Sequence, residues 1–459
     1  MMTVSATGTR HVTLVAAGAA VGGFLFGFDT STMNGAINGI RSTLRLGPGA
    51  EGFVVAIVLI GCALGAWFAG PLSAKAGRLR IMFLAGSLIA LGSLTAALSD
   101  HLALLGLSRF VVGLGIGAAS AVVPPFIAEI APIGIRGRLG SFWQFAIVIG
   151  QFLGLLVGYA LSRWSGSPAA PLAWGGAAWR WMFIVAAVPA AAFVAITRRL
   201  PESPHTLIRH GREDEAGAWL ARVSDEPVAD QITAIRRALA GQRNPSLGDL
   251  RGSRFGLRPI VWTGILLAAF QQLVGINIVK TYSTTLWRSV GFSTGSSFLF
   301  SLLTVLVSIV STVVAIALMD RVGRRTLLVA GAAVMTLASG TLAVSFSMAT
   351  GSGDEVSLGR AAGVAALAAV NVFAVGFGVT WGPVMWVMLS ELFGSDIRST
   401  AVSVCTAINW LTNWAVTRTF PLLADLGLGF AYGVYTALAG LALLFALKGV
   451  PETRGRPLA

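Results

Sequence analysis

The stretch Gly22-Gly23-Phe24-Leu25-Phe26-Gly27-Phe28-Asp29-Thr30-Ser31-Thr32 sets one carboxylate at the end of a run that is apolar or small from Val12 onward. An ionisable group at membrane depth is costly, so it is either paired or at work. If this run crosses a membrane, Asp29 needs a partner, and the rest of the chain has to supply it.

Composition supports the membrane. Of 459 residues, 55% are hydrophobic and 11% are charged, whereas soluble domains carry about 25% charged residues. The chain reads as a polytopic membrane protein rather than as two or three soluble domains. A net charge of +14 raises the question of nucleic acid, but no basic stripe with interleaved aromatics exists and no nucleic-acid partner is expected. The positive charge is instead spread over short loops, as orientation in a bilayer requires. Cys62 and Cys405 both fall in apolar runs, which argues against a disulfide framework or a metal site. The N-terminus has no small-residue cleavage signal after a short apolar core, so its first apolar run is expected to be a retained span.

Windows of about 20 apolar residues suffice to cross a bilayer core. Twelve are present, near 12–34, 52–73, 81–99, 102–131, 139–162, 179–197, 260–287, 297–319, 326–349, 361–390, 399–423 and 427–448. The expected fold class is therefore all-α and polytopic, with twelve transmembrane helices in two six-helix halves. Residues 1–197 form the first half, 198–258 a cytoplasmic linker, 259–450 the second half and 451–459 a cytoplasmic tail. The linker is Arg-rich, and its segments 204–222 and 228–241 carry the pattern of amphipathic helices. With both termini inside, roughly two dozen of the 33 Lys and Arg lie on the cytoplasmic side, in keeping with the positive-inside rule.

The halves repeat. Ala76-Gly77-Arg78 after span two matches Val322-Gly323-Arg324-Arg325 after span eight. Glu129 to Arg136 after span four matches Glu391 to Arg398 after span ten, each segment ending in Ile-Arg. Such a parallel repeat with a long central loop is the plan of a rocking transporter, whose binding site lies between the halves.

Depth follows from a rise of about 1.5 Å per residue. Asp29 lies about 25 Å into span one from the cytoplasm, and Arg109 about 10 Å below the outer surface in span four, so the two charges sit at similar depth. Arg109 is either a structural counterion or one half of a switchable pair. A neighbouring guanidinium favours the ionised carboxylate and burial opposes it, so separating the two would let Asp29 take a proton while the arginine stays charged. Other polar groups stand at mid-depth: Gln271, Gln272 and Asn277 in span seven, Gln144 and Gln151 in span five, Asn409 beside Trp410 in span eleven, and Trp381 in span ten. Amides bind hydroxyls and indole packs on C–H faces, which suits a polyhydroxylated ring; the competing role is to hold helices together. Gly275, and Gly382 with Pro383, would let helices break, which is tolerated beside protein or a cavity.

These residues carry a resemblance. Over nearly its whole length the chain resembles the sugar porter branch of the major facilitator superfamily. The matching signatures are Gly23-Phe-Leu-Phe-Gly-Phe-Asp29, Arg109 with Gly113-x-Gly115-x-Gly117, Pro125-Phe-Ile-Ala-Glu129-Ile-Ala-Pro132 with Arg136-Gly137, and Pro201-Glu202-Ser203-Pro204. The second half adds Gln271-Gln272-x-x-Gly275-x-Asn277, Asp320-Arg321-x-Gly323-Arg324-Arg325, Trp381-Gly-Pro-x-x-Trp386 with Glu391, and Pro451-Glu452-Thr453-Arg454-Gly455. The resemblance implies sugar contacts at Gln144, Gln151, Gln271, Gln272, Asn277, Trp381, Asn409 and Trp410, with Phe26 nearby. It implies that an acid at Asp29, partnered by Arg109, marks a proton-coupled member. It further implies a cytoplasmic latch of Arg78, Glu129, Arg136, Glu202, Arg324, Glu391 and Arg398; a lone loop charge would be worth little.

Three departures stand out. The loop after span two has Ser73-Ala74-Lys75 where an acid is usual, so that half of the latch is expected to be weaker. Ser308 stands where the family has an Asn, and Lys280-Thr281-Tyr282 where it has an apolar residue and two tyrosines. Lys280, with Tyr282, lies near the outer end of span seven. Three roles are open to Lys280: snorkelling to the interface, bridging to Asp29 across an outer gate, or attracting an anionic sugar.

The expected function is secondary transport of a hexose, pentose or polyol in symport with protons, by a monomer in the cell membrane, with no cofactor beyond the coupling proton. A uniporter and a non-transporting sugar sensor are the rivals. An enzyme is not expected: His11, His101, His205 and His210 lie near loops or interfaces, and no nucleophile–base constellation appears.

Overall fold

A computed structural model describes residues 6–173, 175–223, 226–239, 246–278, 297–349 and 358–455. Among the described residues the regular structure is helical apart from one short strand, Arg251–Arg254. The helices are α1 (Ala6–Leu44), α2 (Pro48–Ala76), α3 (Arg78–Ala97), α4 (Leu102–Ile130), α5 (Arg136–Gly140), α6 (Phe142–Ser165) and α7 (Ala178–Thr197). The linker forms α8 (Pro204–Arg209), α9 (Glu213–Val223) and α10 (Val228–Leu239). Then come α11 (Pro259–Leu273), α12 (Ser297–Val322), α13 (Arg324–Ser347), α14 (Arg360–Val379), α15 (Trp381–Leu392), α16 (Arg398–Asp425) and α17 (Leu428–Lys448).

Among the described residues, eleven segments are long and apolar enough to cross a membrane. The expected span at 399–423 is the helix α16, which has the length but not the apolarity. Thr400, Thr406, Asn409, Thr412, Asn413, Thr417 and Thr419 dilute it. A helix that polar crosses a bilayer by turning its amides and hydroxyls toward protein; Asn409 and Asn413 are both buried. The outer faces of the apolar helices are studded with exposed Leu72, Leu91, Leu107, Val188, Val310 and Leu337. That inverted pattern is what lipid allows. The protein is a multi-pass membrane protein.

Two compact units divide the chain. One comprises Met1–Ile265, Trp386–Trp410 and Arg454–Ala459; the other comprises Leu266–Met385 and Leu411–Thr453. In the first unit, lipid-like helices gain little by burying apolar surface against each other, so close backbone approach does the work. A Cβ at Gly27 of α1 would run into the Ile147 carbonyl of α6, and one at Gly117 of α4 into the Cys62 carbonyl of α2. A second layer, of Met33, Ile40, Val54, Leu105, Leu161, Trp179, Met182 and Phe183, fills the same unit beside them.

The linker follows its amphipathic pattern, with one interruption. The expected 204–222 helix breaks at Gly211, whose φ of +74° ends α8 before α9 begins. Leu207, Ile208 and Ala216 with Ile232 and Ile235 then form a small core of their own.

In the second unit both expected helix breaks occur. The α11 helix stops at Leu273, Gly275 takes φ +90°, a conformation that favours glycine, and helical structure resumes at 276–278. Span ten divides at Thr380 into α14 and α15, and Pro383 falls in the first turn of α15, where a missing N–H costs nothing.

Candidate functional site

Asp29 and Arg109 are joined. Arg109 Nη1 donates to Asp29 Oδ1 at 2.6 Å and Nη2 to Oδ2 at 2.8 Å, and both side chains are at least 95% buried. The pairing at similar depth expected from the rise per residue is therefore a two-pronged bond between α1 and α4. A fork-on-fork pair is geometrically specific as well as strong. Phe183 of α7 covers the guanidinium face, its ring centre 5.7 Å from Arg109 Cζ.

Five further sugar-site candidates lie in the same unit. Phe26 stands edge-on to Trp410, ring centres 5.0 Å apart, and Trp410 Nε1 donates to Ser120 Oγ at 3.1 Å. Gln144 is buried on α6 and Gln151 half-buried two turns further on. Asn409 precedes Trp410 and is buried.

The second unit holds the other four. Gln271 is buried, and its Nε2 donates to the carbonyls of Trp381 and Gly382, both at 3.3 Å. Those carbonyls stand at the start of α15, so this amide braces a helix break. Gln272 donates to Gln271 Oε1 at 3.2 Å; Asn277 Nδ2 donates to Gln272 Oε1 at 3.0 Å and to Asn413 Oδ1 at 2.8 Å. Trp381 is fully buried, with its indole N–H on the Leu328 carbonyl at 2.9 Å. Asn413 is an ordinary polar residue in the sequence, and its spacing of four from Asn409 on one helix is the signal that points to it. Ser308, in the place of an Asn, donates to the Thr304 carbonyl of its own helix at 2.9 Å. Lys280 and Tyr282 lie outside the described residues.

The latch candidates of the first unit converge on one cluster. Arg78 Nη2 reaches Glu129 Oε1 at 2.7 Å, and Ser203 Oγ donates to Glu129 Oε2 at 2.5 Å. Ser73 takes the place of the acid missing from the preceding loop, its hydroxyl accepting from Arg78 Nη1 at 2.8 Å. Arg136 and Arg398 hold backbone: Arg136 Nε donates to the Ala128 carbonyl and Arg398 Nε to the Phe393 carbonyl, each at 3.1 Å. Those carbonyls lie at helix C-terminal ends, where cations are favoured. Glu391 is half-buried at the end of α15.

Glu202 acts on backbone. Its two carboxylate oxygens accept the N–H groups of Arg78 and Leu79, both at 3.2 Å, and so cap α3. Glu452 repeats the arrangement in the second unit, accepting from the N–H of Arg324 at 3.0 Å and of Arg325 at 3.1 Å. Each capped helix follows a glycine in the same unusual conformation, Gly77 at φ +98° and Gly323 at φ +100°. Arg324 also meets Asp320 at 3.1 Å. Glu452 belongs to the Pro451-Glu452-Thr453-Arg454-Gly455 motif, and only the fold brings it back to a helix start 128 residues earlier.

Two titrating groups of this cluster lie outside the spans. Burial pushes the Glu202 carboxyl up, while the N–H groups of Ser203 and Leu79 pull it back. Burial pushes His205 down to about 4, against the pull of Glu129, with Arg398, Arg136 and Arg209 adding to the lowering. Its Nδ1 is buried without a hydrogen-bond partner.

Comparison with known proteins gives a consistent picture. A family model described as "Sugar (and other) transporter" matches residues 15–459. The glucose transport protein of Synechocystis sp. is 40% identical over 456 residues, covering 99% of this chain and 97% of that protein. The D-xylose-proton symporter of Escherichia coli is 33% identical, covering 97% of this chain and 94% of that protein. Among solved structures, the proton:xylose symporter XylE bound to 6-bromo-6-deoxy-D-glucose matches with a TM-score of 0.87 at 31% identity, over 98% of each chain.

Proposed function

The chain belongs to the sugar porter family of the major facilitator superfamily, and from that premise we propose that it imports a hexose, pentose or related polyol in symport with protons. It is a membrane transporter of sugar, not an enzyme. The observation that carries the proton coupling is the buried two-pronged bond between Asp29 and Arg109.

A buried ion pair is stable only while both members are charged; removing one charge is strongly unfavourable to the other. Arg109 does not deprotonate. Asp29 is therefore the group that changes state, and its protonation releases α1 from α4. The amides that suit sugar hydroxyls are Gln144, Gln151, Asn409, Gln272 and Asn277. Phe26 and Trp410 offer apolar faces. Gln271 and Trp381 act by holding the α15 start in place. The charged cluster around Glu129, and the caps from Glu202 and Glu452, steady the cytoplasmic helix ends as the transporter alternates access. The carrier works as a monomer in the cell membrane, with both termini cytoplasmic. Relatives that transport glucose and xylose support this reading.

Purified protein in liposomes with an imposed pH gradient tests it. The wild type is expected to accumulate D-glucose or D-xylose, and a protonophore to abolish that accumulation. Asp29→Asn should lose accumulation yet keep sugar exchange. Uphill accumulation by Asp29→Asn would overturn the symport reading.

A further inference from the structure

Two helices, α1 and α4, are tied together twice. The first tie is the Asp29–Arg109 bond. The second runs through an indole: Phe26 of α1 packs edge-on against Trp410, and Trp410 donates its N–H to Ser120 of α4. Phe26 and Asp29 are three residues apart, so they share one face of α1. Arg109 and Ser120 are eleven apart, which at 3.6 residues per turn is about three turns, so they share one face of α4.

We propose that Ser120 is a positioning residue that holds Trp410 against α4, so that loosening α1 from α4 at Asp29 is felt at the ring expected to pack on the sugar. This rests on the symport reading above and adds to it the route by which proton and sugar influence each other.

The local chemistry suits that role. Ser120 is fully buried, and its hydroxyl donates to the Gly117 carbonyl at 2.8 Å. That single proton is thereby spent, which turns a lone pair toward the indole N–H. Trp410, itself 2% exposed, has its one donor satisfied there. The two helices are also clamped to different neighbours, α1 to α6 at Gly27 and α4 to α2 at Gly117. A relative shift of α1 and α4 therefore carries α6 and α2 with them and strains the indole from both sides.

The test measures the KM for D-glucose and D-xylose from pH 5.5 to 8 in proteoliposomes. Ser120→Ala removes the acceptor; Ser120→Thr keeps it. The wild-type KM is expected to change with pH. In Ser120→Ala that change should shrink by roughly three- to ten-fold, the worth of one hydrogen bond, while Ser120→Thr restores it. In the Asp29→Asn background, Ser120→Ala should no longer alter the pH profile, because interacting sites are non-additive. A Ser120→Ala profile parallel to wild type, displaced equally at every pH, or a Ser120→Thr protein that behaves like Ser120→Ala, would overturn the inference while leaving symport intact. A wild type whose KM ignores pH and whose Asp29→Asn variant still accumulates sugar would remove the symport reading and this inference with it. If Ser120→Ala fails to reach the membrane, Ser120→Cys, a poor acceptor, carries the same comparison.

Discussion

Arg109 grips Asp29 with Nη1 and Nη2, and its Nε is buried with no hydrogen-bond partner. The guanidinium is thus committed to a single carboxylate. Arg109→Gln leaves a buried charge uncompensated, which costs about 3–5 kcal/mol. Asp29→Asn combined with Arg109→Gln removes both charges and should recover most of that loss. Thermal unfolding of the purified variants in detergent checks the order: wild type highest, double variant next, Arg109→Gln lowest.

The caps predict paired effects at distant positions. Glu202 and Glu452 each satisfy two backbone N–H groups at a helix start. Replacing a helix cap by Ala costs about 1 kcal/mol. Glu202→Ala and Glu452→Ala should each lower the unfolding temperature by a similar amount. Their effects should add, because the caps share no partner. A silent Glu452→Ala would show that the α13 start needs no carboxylate.

His205 makes stability depend on pH with a definite sign. Its folded value of about 4 lies below its ordinary 6.5. Between those values the unfolded chain binds the proton and the folded chain does not, so acid favours unfolding. The stability from a neutral His205 is fully present above about pH 6.5 and is lost as pH falls toward 4. Glu202, raised by burial, works in the opposite sense. Comparing wild type with His205→Gln isolates the histidine: the wild type should lose stability faster between pH 6.5 and 4.5. Parallel curves would refute it.

Gly117 leaves no room for a side chain. An added Cβ would meet the Cys62 backbone carbonyl, which cannot rotate away. Gly117→Ala should therefore push α4 off α2 and cost about 1–3 kcal/mol or more. Gly49→Ala, inside the first turn of α2 with nothing within 4 Å, is the control and should be neutral or slightly stabilising. Detergent-solubilised yield and unfolding temperature report both.

Much of this was legible in the chain. The spans announce themselves through apolar length, and even α16, too polar to qualify by composition, is found once its neighbours are counted. The Asp29–Arg109 pair follows from depth arithmetic, since two isolated charges in apolar helices have little choice of partner. The helix breaks at Gly275 and before Pro383 follow from backbone chemistry. What the chain hid was side-chain direction. Gln271 stands among the sugar candidates, and its amide hydrogens also reach the carbonyls of Trp381 and Gly382. Arg136 and Arg398 looked like partners for acids and prove also to hold helix-end carbonyls. Ser73 replaces a missing carboxylate, and a serine announces nothing. Ser120 and Asn413 are likewise ordinary polar residues until another helix arrives beside them.

The Glu452 cap bears on how the polypeptide is made. Arg324 emerges from the ribosome well over a hundred residues before the carboxylate that will close over its helix, just as Arg78 precedes Glu202. Each of these two helix starts thus waits for a carboxylate made more than a hundred residues later. A nascent chain stalled after α17 but before Glu452 would carry α13 with its first N–H groups still without their carboxylate.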